Sequence, residues 1–418
     1  MEGWEIQQLG ELATVGAGNS APQDDALFAD GTVPFFRTSD VGRIRFGDID
    51  IAADYLNERG TRGLRRLPKG TILFPKSGAS TFLNHRVMMQ ADGCVSSHLA
   101  TITAKPEYAE PRFLLYFLST VEAQDMVQDH AYPSLNLPLI SGIKVPTPPL
   151  PEQRRIVAIL DEAFEAIATA KANTEKNLQN ARELFEWQHQ AAFDRARERS
   201  KDYRLCDIAG FRNGINYTKQ SKGQLVRIIG VRDFQNHFWA PIDDLDSVTL
   251  DGELSTADTV EEGDILSVRS NGNPELIGRC MLVGKFAGLV THSGFTIRIR
   301  LHSLGCLPQY VCHFLKSREV RRKLVDGGNG LNIKSLNQGM LSDLVIPLPP
   351  VEIQQLLVEE IEAMKEATAD LTDIATRKLA ALDDLKKTFL HQAFTGELTA
   401  KKTIDLVGSP QKTENKAR

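Results

Sequence analysis

The 418-residue chain is 42% hydrophobic and 25% charged, with a formal net charge of −5. That length exceeds what one hydrophobic core organises, and the composition is that of globular domains rather than of a fibrous or disordered chain. The negative balance excludes a surface coated throughout with Lys and Arg, so any contact with nucleic acid must come from local basic patches.

The opening stretch MEGWEIQQLGELATVG has no basic segment leading into an apolar run, so no secretory leader is expected. No stretch approaches the ~18 apolar residues of a membrane span. Cys94, Cys206, Cys280, Cys306 and Cys312 form no CxxC pair. This suits reduced thiols, predicts no metal site, and makes the cytoplasm the expected compartment. Gly16–Gly18 (GAG) reads as a turn. Short β-branched and aromatic runs such as Gly70–Pro75 (GTILFP) then alternate with Gly, Asn and Asp turns, and a short helical stretch follows at about Phe113–Gln128. After the Pro-rich step at Thr147–Val157 (TPPLPEQRRIV), a long Pro- and Gly-free stretch rich in Ala, Glu, Lys and Leu predicts a helix. Val157, Leu160, Phe164, Ile167, Leu178 and Phe185 fall on 3–4 spacing along it.

The chain then begins again. Strand-like runs at Asp264–Ser270 and Gly294–Leu301, a helical stretch at Gln309–Leu324 and the step LPPVEIQQLLV (Leu348–Val358) lead into a second long helix. Its spaced apolar positions include Ile361, Leu371, Leu379, Leu382 and Phe389. At 1.5 Å per residue, a helix of roughly 45 residues is about 65–70 Å long. The two helices lock the repeat: Val157 and Val358, Leu178 and Leu379, and Phe193 and Phe394 all lie 201 residues apart. Upstream the offset drifts, but PFFRTSDV (Pro34–Val41) matches RIIGVRDF (Arg227–Phe234). PRFLLYFL (Pro111–Leu118) matches PQYVCHFL (Pro308–Leu315), and SLN (Ser134–Asn136) matches GLN (Gly330–Asn332). The period is half the chain, so this is a tandem duplication of a domain with its trailing helix. The expected fold class is α+β: two similar domains, residues 1–147 and 201–347, with long helices at 148–200 and 348–400 whose 3–4 spacing is that of a coiled coil. The tail, residues 401–418, reads as disordered.

No catalytic signature emerges. There is no phosphate-binding GxxxxGK[ST] loop, no aromatic clamp after Pro148-Pro149 or Pro349-Pro350, and no histidine pair at metal-ligand spacing; His98 and His292 read as structural. What remains are polar loops at matching places in the two copies. Arg37, Thr38, Ser39 and Asp40 sit opposite Arg232 and Asp233, and Lys76 and Ser77 sit opposite Arg269, Ser270 and Asn271. Such side chains hydrogen-bond base edges and phosphates, although an Asx-turn would use the same residues. Arg62, Arg65 and Arg66 form a candidate phosphate stripe, and Arg318, Arg321, Arg322 and Lys323 a second one or a solvated helix face.

The chain resembles the specificity subunits of type I restriction–modification systems. The features that carry the resemblance are PPLPEQRRIV (Pro148–Val157), the long helix after it, the repetition of both, RTSDV, GTILF, NQG (Asn337–Gly339) and the closing AFTGEL (Ala393–Leu398). The second copy departs in reading VEIQ (Val351–Gln354) where an EQ step is expected, and the first helix ends FDRAR (Phe193–Arg197) without a Gly. The resemblance implies two target-recognition domains, each reading half of an asymmetric double-stranded DNA site. The helices would pack as an antiparallel coiled coil, space the halves and dock two methyltransferase subunits that bind S-adenosylmethionine, with a motor–nuclease subunit as an optional further partner. It implies no catalysis and no cofactor on this chain. The rival readings are a standalone DNA methyltransferase or nuclease, and a coiled-coil scaffold with ligand-binding heads.

Overall fold

A computed structural model describes residues 4–127, 133–218, 220–235, 237–303, 305–326 and 335–400. The tail expected to be disordered and Gly330–Asn332 lie outside the described residues. The match of Ser134–Asn136 to Gly330–Asn332 is a correction: the structural counterpart is Ser335–Asn337. Ser134 bridges Ser77 as Ser335 bridges Ser270, and Asn136 and Asn337 cap the helices that follow. The chain divides into two compact units, one comprising Met1–Asn173 and Lys378–Arg418, the other Thr174–Arg377. Each unit is α+β and draws on both long helices, Leu150–Arg197 and Val351–Thr395.

In the first unit a five-stranded sheet runs in the order Ala13–Ala17, Leu99–Ala104, Ile72–Pro75, Arg86–Met89, Phe46–Ile49. A three-stranded sheet has Val33–Phe36 between Asp54–Leu56 and Cys94–Val95. Ile72–Pro75 and Arg86–Met89 are buried along their whole length, apolar throughout except for Arg86, whose guanidinium lies 3.4 Å from the centre of the Phe74 ring. The helix Pro111–Leu118, started by Pro at its first turn, buries Phe113 through Leu118 against them. The second unit repeats this plan. Ala209–Asn213, Thr296–Leu301, Ile265–Val268 and Cys280–Leu282 form one sheet; Asp246–Thr249, Leu225–Ile229 and Val290–His292 form the other. Among the described residues no strand matches Phe46–Ile49: Trp239 makes a single bridge to Leu282, and Pro241, two residues on, has no N–H to give.

Entry and exit of each domain are stitched together. Glu5–Gln8 pairs antiparallel with Lys144–Thr147, and Lys201–Arg204 with Val345–Leu348. One buried glutamine then fastens each helix to its domain. Gln153 Nε2 donates to the carbonyls of Tyr108 (3.0 Å) and Pro148 (2.9 Å), and its Oε1 accepts from Glu110 N (2.9 Å). Gln354 does the same with Gly305 (2.8 Å), Pro349 (2.8 Å) and Leu307 N (2.9 Å). The departure noted at VEIQ is therefore no loss. The glutamine of the step stands at the equivalent position, and only its preceding glutamate has moved, to Glu352.

The helices are antiparallel within each unit. In the first, Ile156 and Leu160 share a core with Ala393 and Phe394, and Lys171 pairs with Asp383. In the second, Ala192, Phe193 and Ala196 share a core with Leu357 and Ile361, and Arg195 reaches Glu360 at 2.5 Å. Leu160, Ile167 and Ile361 are buried, and Val157, Phe164, Leu178, Phe185, Leu379, Leu382 and Phe389 are half-buried. Leu371 is a correction: it is 51% exposed, because the inward positions of that turn are taken by Thr368 and Thr372. Their hydroxyls donate to the carbonyls four residues back, both at 2.8 Å, which lets a polar residue face the partner helix.

The helix ends also pack on the globular layers, with different chemistry in the two copies. Tyr116 hydroxyl donates to Asp161 in the first unit; at the repeat-related positions of the second, His313 Nε2 lies 2.9 Å from Glu362 Oε1. That contact, with Lys365 adjoining, holds the Glu362 carboxyl down at about 2. Nearby, Lys386 Nζ lies over the rings of Phe46 (4.8 Å) and Phe164 (4.9 Å). In the second unit Lys365 Nζ lies over Phe238 at 4.7 Å. The repeat relates Phe164 to Lys365 and Phe185 to Lys386, so ring and cation have changed places between the helices.

Replacing Gln354 with Ala strands the Leu307 N–H and two carbonyls in a dry junction. Urea unfolding of the purified chain should show a loss of about 2–3 kcal/mol, against a few tenths for Gln355→Ala on the exposed side of the same turn.

Candidate nucleic-acid interface

The same three loops are brought together in both domains by matching backbone bonds. In the first, Ser96 N donates to Phe36 O (2.9 Å) and Lys76 N to His98 O (3.0 Å); in the second, Ser293 N donates to Ile229 O (2.9 Å) and Arg269 N to Phe295 O (2.8 Å). Gly18 and Gly214 complete the frame. A Cβ at either would fall 2.1–2.3 Å from carbonyl oxygens of Val95 or His292, so glycine is needed for close backbone approach. Gly16 and Ala17 end the strand Ala13–Ala17 and do not form the turn expected of GAG.

In the second domain these loops line a cleft of about 400 Å³ that gathers Arg232, Asp233, Ser270 and Asn271, together with Tyr217, Asp246 and Phe295. The sequence therefore pointed to two loops that do meet. Two of the residues it singled out hold their own turns. Asp40 and Asp233 are buried and cap their own turns: Asp40 accepts from Arg37 N (2.8 Å) and Ala53 N (3.1 Å), and Asp233 from Gly230 N (2.7 Å). With their oxygens so engaged, neither can present an acceptor to a base. Thr38 is half-buried and Ser39 exposed in the first turn of Thr38–Ile44.

The arginines are oriented by carboxylates that sequence reasoning missed. Arg37 Nε meets Asp54 Oδ2 at 2.5 Å, its guanidinium 5.2 Å from the centre of the Phe35 ring. A terminal nitrogen of Arg232 meets Asp246 Oδ2 at 2.8 Å. Asp54 lies opposite Phe35 in the strand register and Asp246 opposite Ile228, so the two acids are counterparts. The arginines come from different places in the turn, because Arg37 aligns with Gly230 and Arg232 with Ser39. The signal was present as an Asp opening the edge strand of each copy.

Elsewhere, Ser77 Oγ lies 2.8 Å from His98 Nδ1, Lys76 O accepts from Leu135 N (2.8 Å), and Asn271 Oδ1 accepts from Asn273 N (2.8 Å). Ser270 bridges to Ser335 as Ser77 does to Ser134. Of the proposed stripe, Arg62 and Arg66 are exposed, whereas Arg65 donates to Thr101 Oγ1 (2.7 Å) and covers Gly16. In the second basic group Arg321 donates to Glu275 O (2.5 Å) and Lys323 pairs with Glu319 (2.6 Å), leaving Arg318 and Arg322 exposed to solvent. His98 is exposed at the loop tip, contrary to the structural role expected of it; His292 is buried.

His292 is buried next to Ser293, which lines the second cleft. Thr296 Oγ1 gives its proton to Ser293 O (2.7 Å), so its 2.9 Å contact with His292 must be received from Nδ1–H. Nε2 has no partner, and burial followed by the nearby Arg298 drives the pKa down to about 3, so the ring is neutral. His189 is likewise lowered to about 4 by burial and the neighbouring His313.

Among the described residues no cluster of His, Cys, Asp and Glu could hold a metal ion, all five cysteines are free, and no helix is long and apolar enough to cross a membrane.

Residues 1–180 match the family model described as type I restriction modification DNA specificity domain. The chain is 22% identical to the type I restriction enzyme EcoKI specificity subunit of Escherichia coli K12, over 96% of this chain and 90% of that one. Identity and coverage are the same for the StySPI specificity subunit of Salmonella potsdam. Among solved structures, one reported for complex assembly and conformational transition of the type I R-M system superposes with a TM-score of 0.75 at 18% identity, covering 95% of this chain and 99% of that one. The HsdS subunit from Thermoanaerobacter tengcongensis gives 0.59 at 17% identity, covering 95% and 97%.

A histidine kept neutral in the fold but titrating near 6.5 when unfolded makes the unfolded chain the better proton binder below that pH, so stability falls as pH falls. Between pH 6.5 and 5.5, His292 should cost about 1 kcal/mol. Urea midpoints at the two pH values should show His292→Asn losing that much less than the wild type.

Proposed function

We propose that this chain, a member of the type I restriction–modification specificity-subunit family, reads one half of a split double-stranded DNA site with each of its two globular domains. The observation that carries this reading is the duplicated loop frame, in which a carboxylate orients an arginine beside solvent-facing polar side chains: Arg37 on Asp54, and Arg232 on Asp246. An arginine fixed in this way is pre-organised for two-point contact with guanine or with a phosphate. The side chains around the two frames differ, so the two half-sites differ and the whole target is asymmetric.

In this reading the chain positions DNA and leaves the chemistry to partners. Two methyltransferase subunits dock on the helix pair, carry the S-adenosylmethionine and act on the flipped base; a motor–nuclease subunit joins in systems that possess one. With a net charge of −5, the isolated chain binds DNA weakly, and the loaded complex binds it tightly and with steep salt dependence.

The test is to exchange residues 201–347 for the corresponding segment of a relative and sequence the methylome of a host expressing the complex. One half of the methylated motif should change, while the other half and the spacer length persist. A palindromic wild-type motif, or a change in both halves, would overturn the reading. Separately, replacing Arg62 and Arg66 with Ala should weaken binding of all sequences alike and flatten the log–log salt slope by about 1.8, as measured by fluorescence anisotropy of the complex from 50 to 200 mM salt.

A further inference from the structure

The repeat brings one more pair of residues into correspondence, at the tip of the loop that enters the long central strand of each domain. Asn19 bridges to Ser96 and Ile215 to Ser293; Leu99 N donates to Ser96 O (3.0 Å) and Thr296 N to Ser293 O (2.8 Å). Between these fixed points stand His98 and Phe295, whose carbonyls both accept from the neighbouring loop, from Lys76 N and Arg269 N. The backbone is the same and the side chains are chemically opposite.

Phe295 is 59% exposed and shares its cleft with Tyr217, itself 44% exposed. Neither ring belongs to a core cluster of the second unit. Two uncovered rings beside the oriented Arg232 and the polar Asn271 make a surface with an apolar spot inside a hydrogen-bonding rim. In a DNA major groove the one apolar feature at a base edge is the thymine 5-methyl group. In the first domain His98 has Nδ1 engaged by Ser77 Oγ at 2.8 Å, which directs Nε2 outward as a single hydrogen-bonding group.

We infer that positions 98 and 295 are the same specificity-determining position, with Phe295, flanked by Tyr217, reading a thymine methyl in the second half-site and His98 reading a polar base edge in the first. This rests on the DNA-reading role proposed above, and it names which residues discriminate and by what chemistry.

The experiment uses the complete complex and its methylome-defined duplex, with each thymine of the second half-site replaced in turn by uracil, which differs only in lacking the methyl. One position should lose about fourfold in affinity, the worth of one buried methyl at ~0.8 kcal/mol. Phe295→Ala should abolish that loss, Phe295→Leu should keep most of it, and His98→Ala should leave it intact while relaxing one position of the first half-site. A second half-site without thymine, a flat uracil scan, or a scan unchanged in Phe295→Ala overturns the inference. If the domain exchange still alters one half of the motif, only this inference has failed; if the exchange alters neither half, the DNA-reading role itself has failed.

Discussion

The amide of one glutamine, used twice, governs how this chain can be built. A helix roughly 65–70 Å long can hold a globular domain at a defined angle only if its first turn is fixed to that domain. The Pro-Pro steps remove backbone donors at this point. Gln153 and Gln354 replace them with a planar group whose two donors and one acceptor are all satisfied inside the junction. An aliphatic side chain could fill the space but would leave Glu110 N or Leu307 N bare, and a carboxylate could not donate. The sheets set the shape of each domain, but the glutamine transmits that shape to the helix, and so to anything the helix carries.

Much of this was legible from the residues because it depends on periodicity. The unbroken offset of the helices and the Pro-rich steps before them predict the duplication and the long helices; their antiparallel use follows from the family resemblance. Leu371 escaped because 3–4 spacing admits more than one stripe, and the true seam runs through Thr368 and Thr372, which an apolar pattern ignores. The EQ step of the second copy looked broken because adjacency in sequence was read as the essential feature, when the buried amide alone is what the junction needs.

The loops were legible by place and not by role. Asp40 and Asp233 share their residue type with base readers, and only burial with backbone donors around them reveals caps. Asp54, Asp246, His98, Phe295 and Tyr217 lie outside the loop segments first singled out and join them only through strand register and backbone bonds. Aligning Ser96 with Ser293 would have exposed the His98–Phe295 contrast from sequence. The arginine partners need the hairpin register itself.

The contact of Phe164 with Lys386, at positions where the repeat puts Lys365 and Phe185, records how far the two copies have diverged. When two identical copies pair, every contact across the axis is made with the same residue type that its symmetry mate uses. Once fused, each copy drifts under the constraint of the other, and a Phe here can be answered by a Lys there. A first half paired with its own duplicate would set Phe164 against Phe185, and a second half would set Lys365 against Lys386. The fused chain instead sets Phe164 against Lys386, a pairing that neither half could make with a copy of itself.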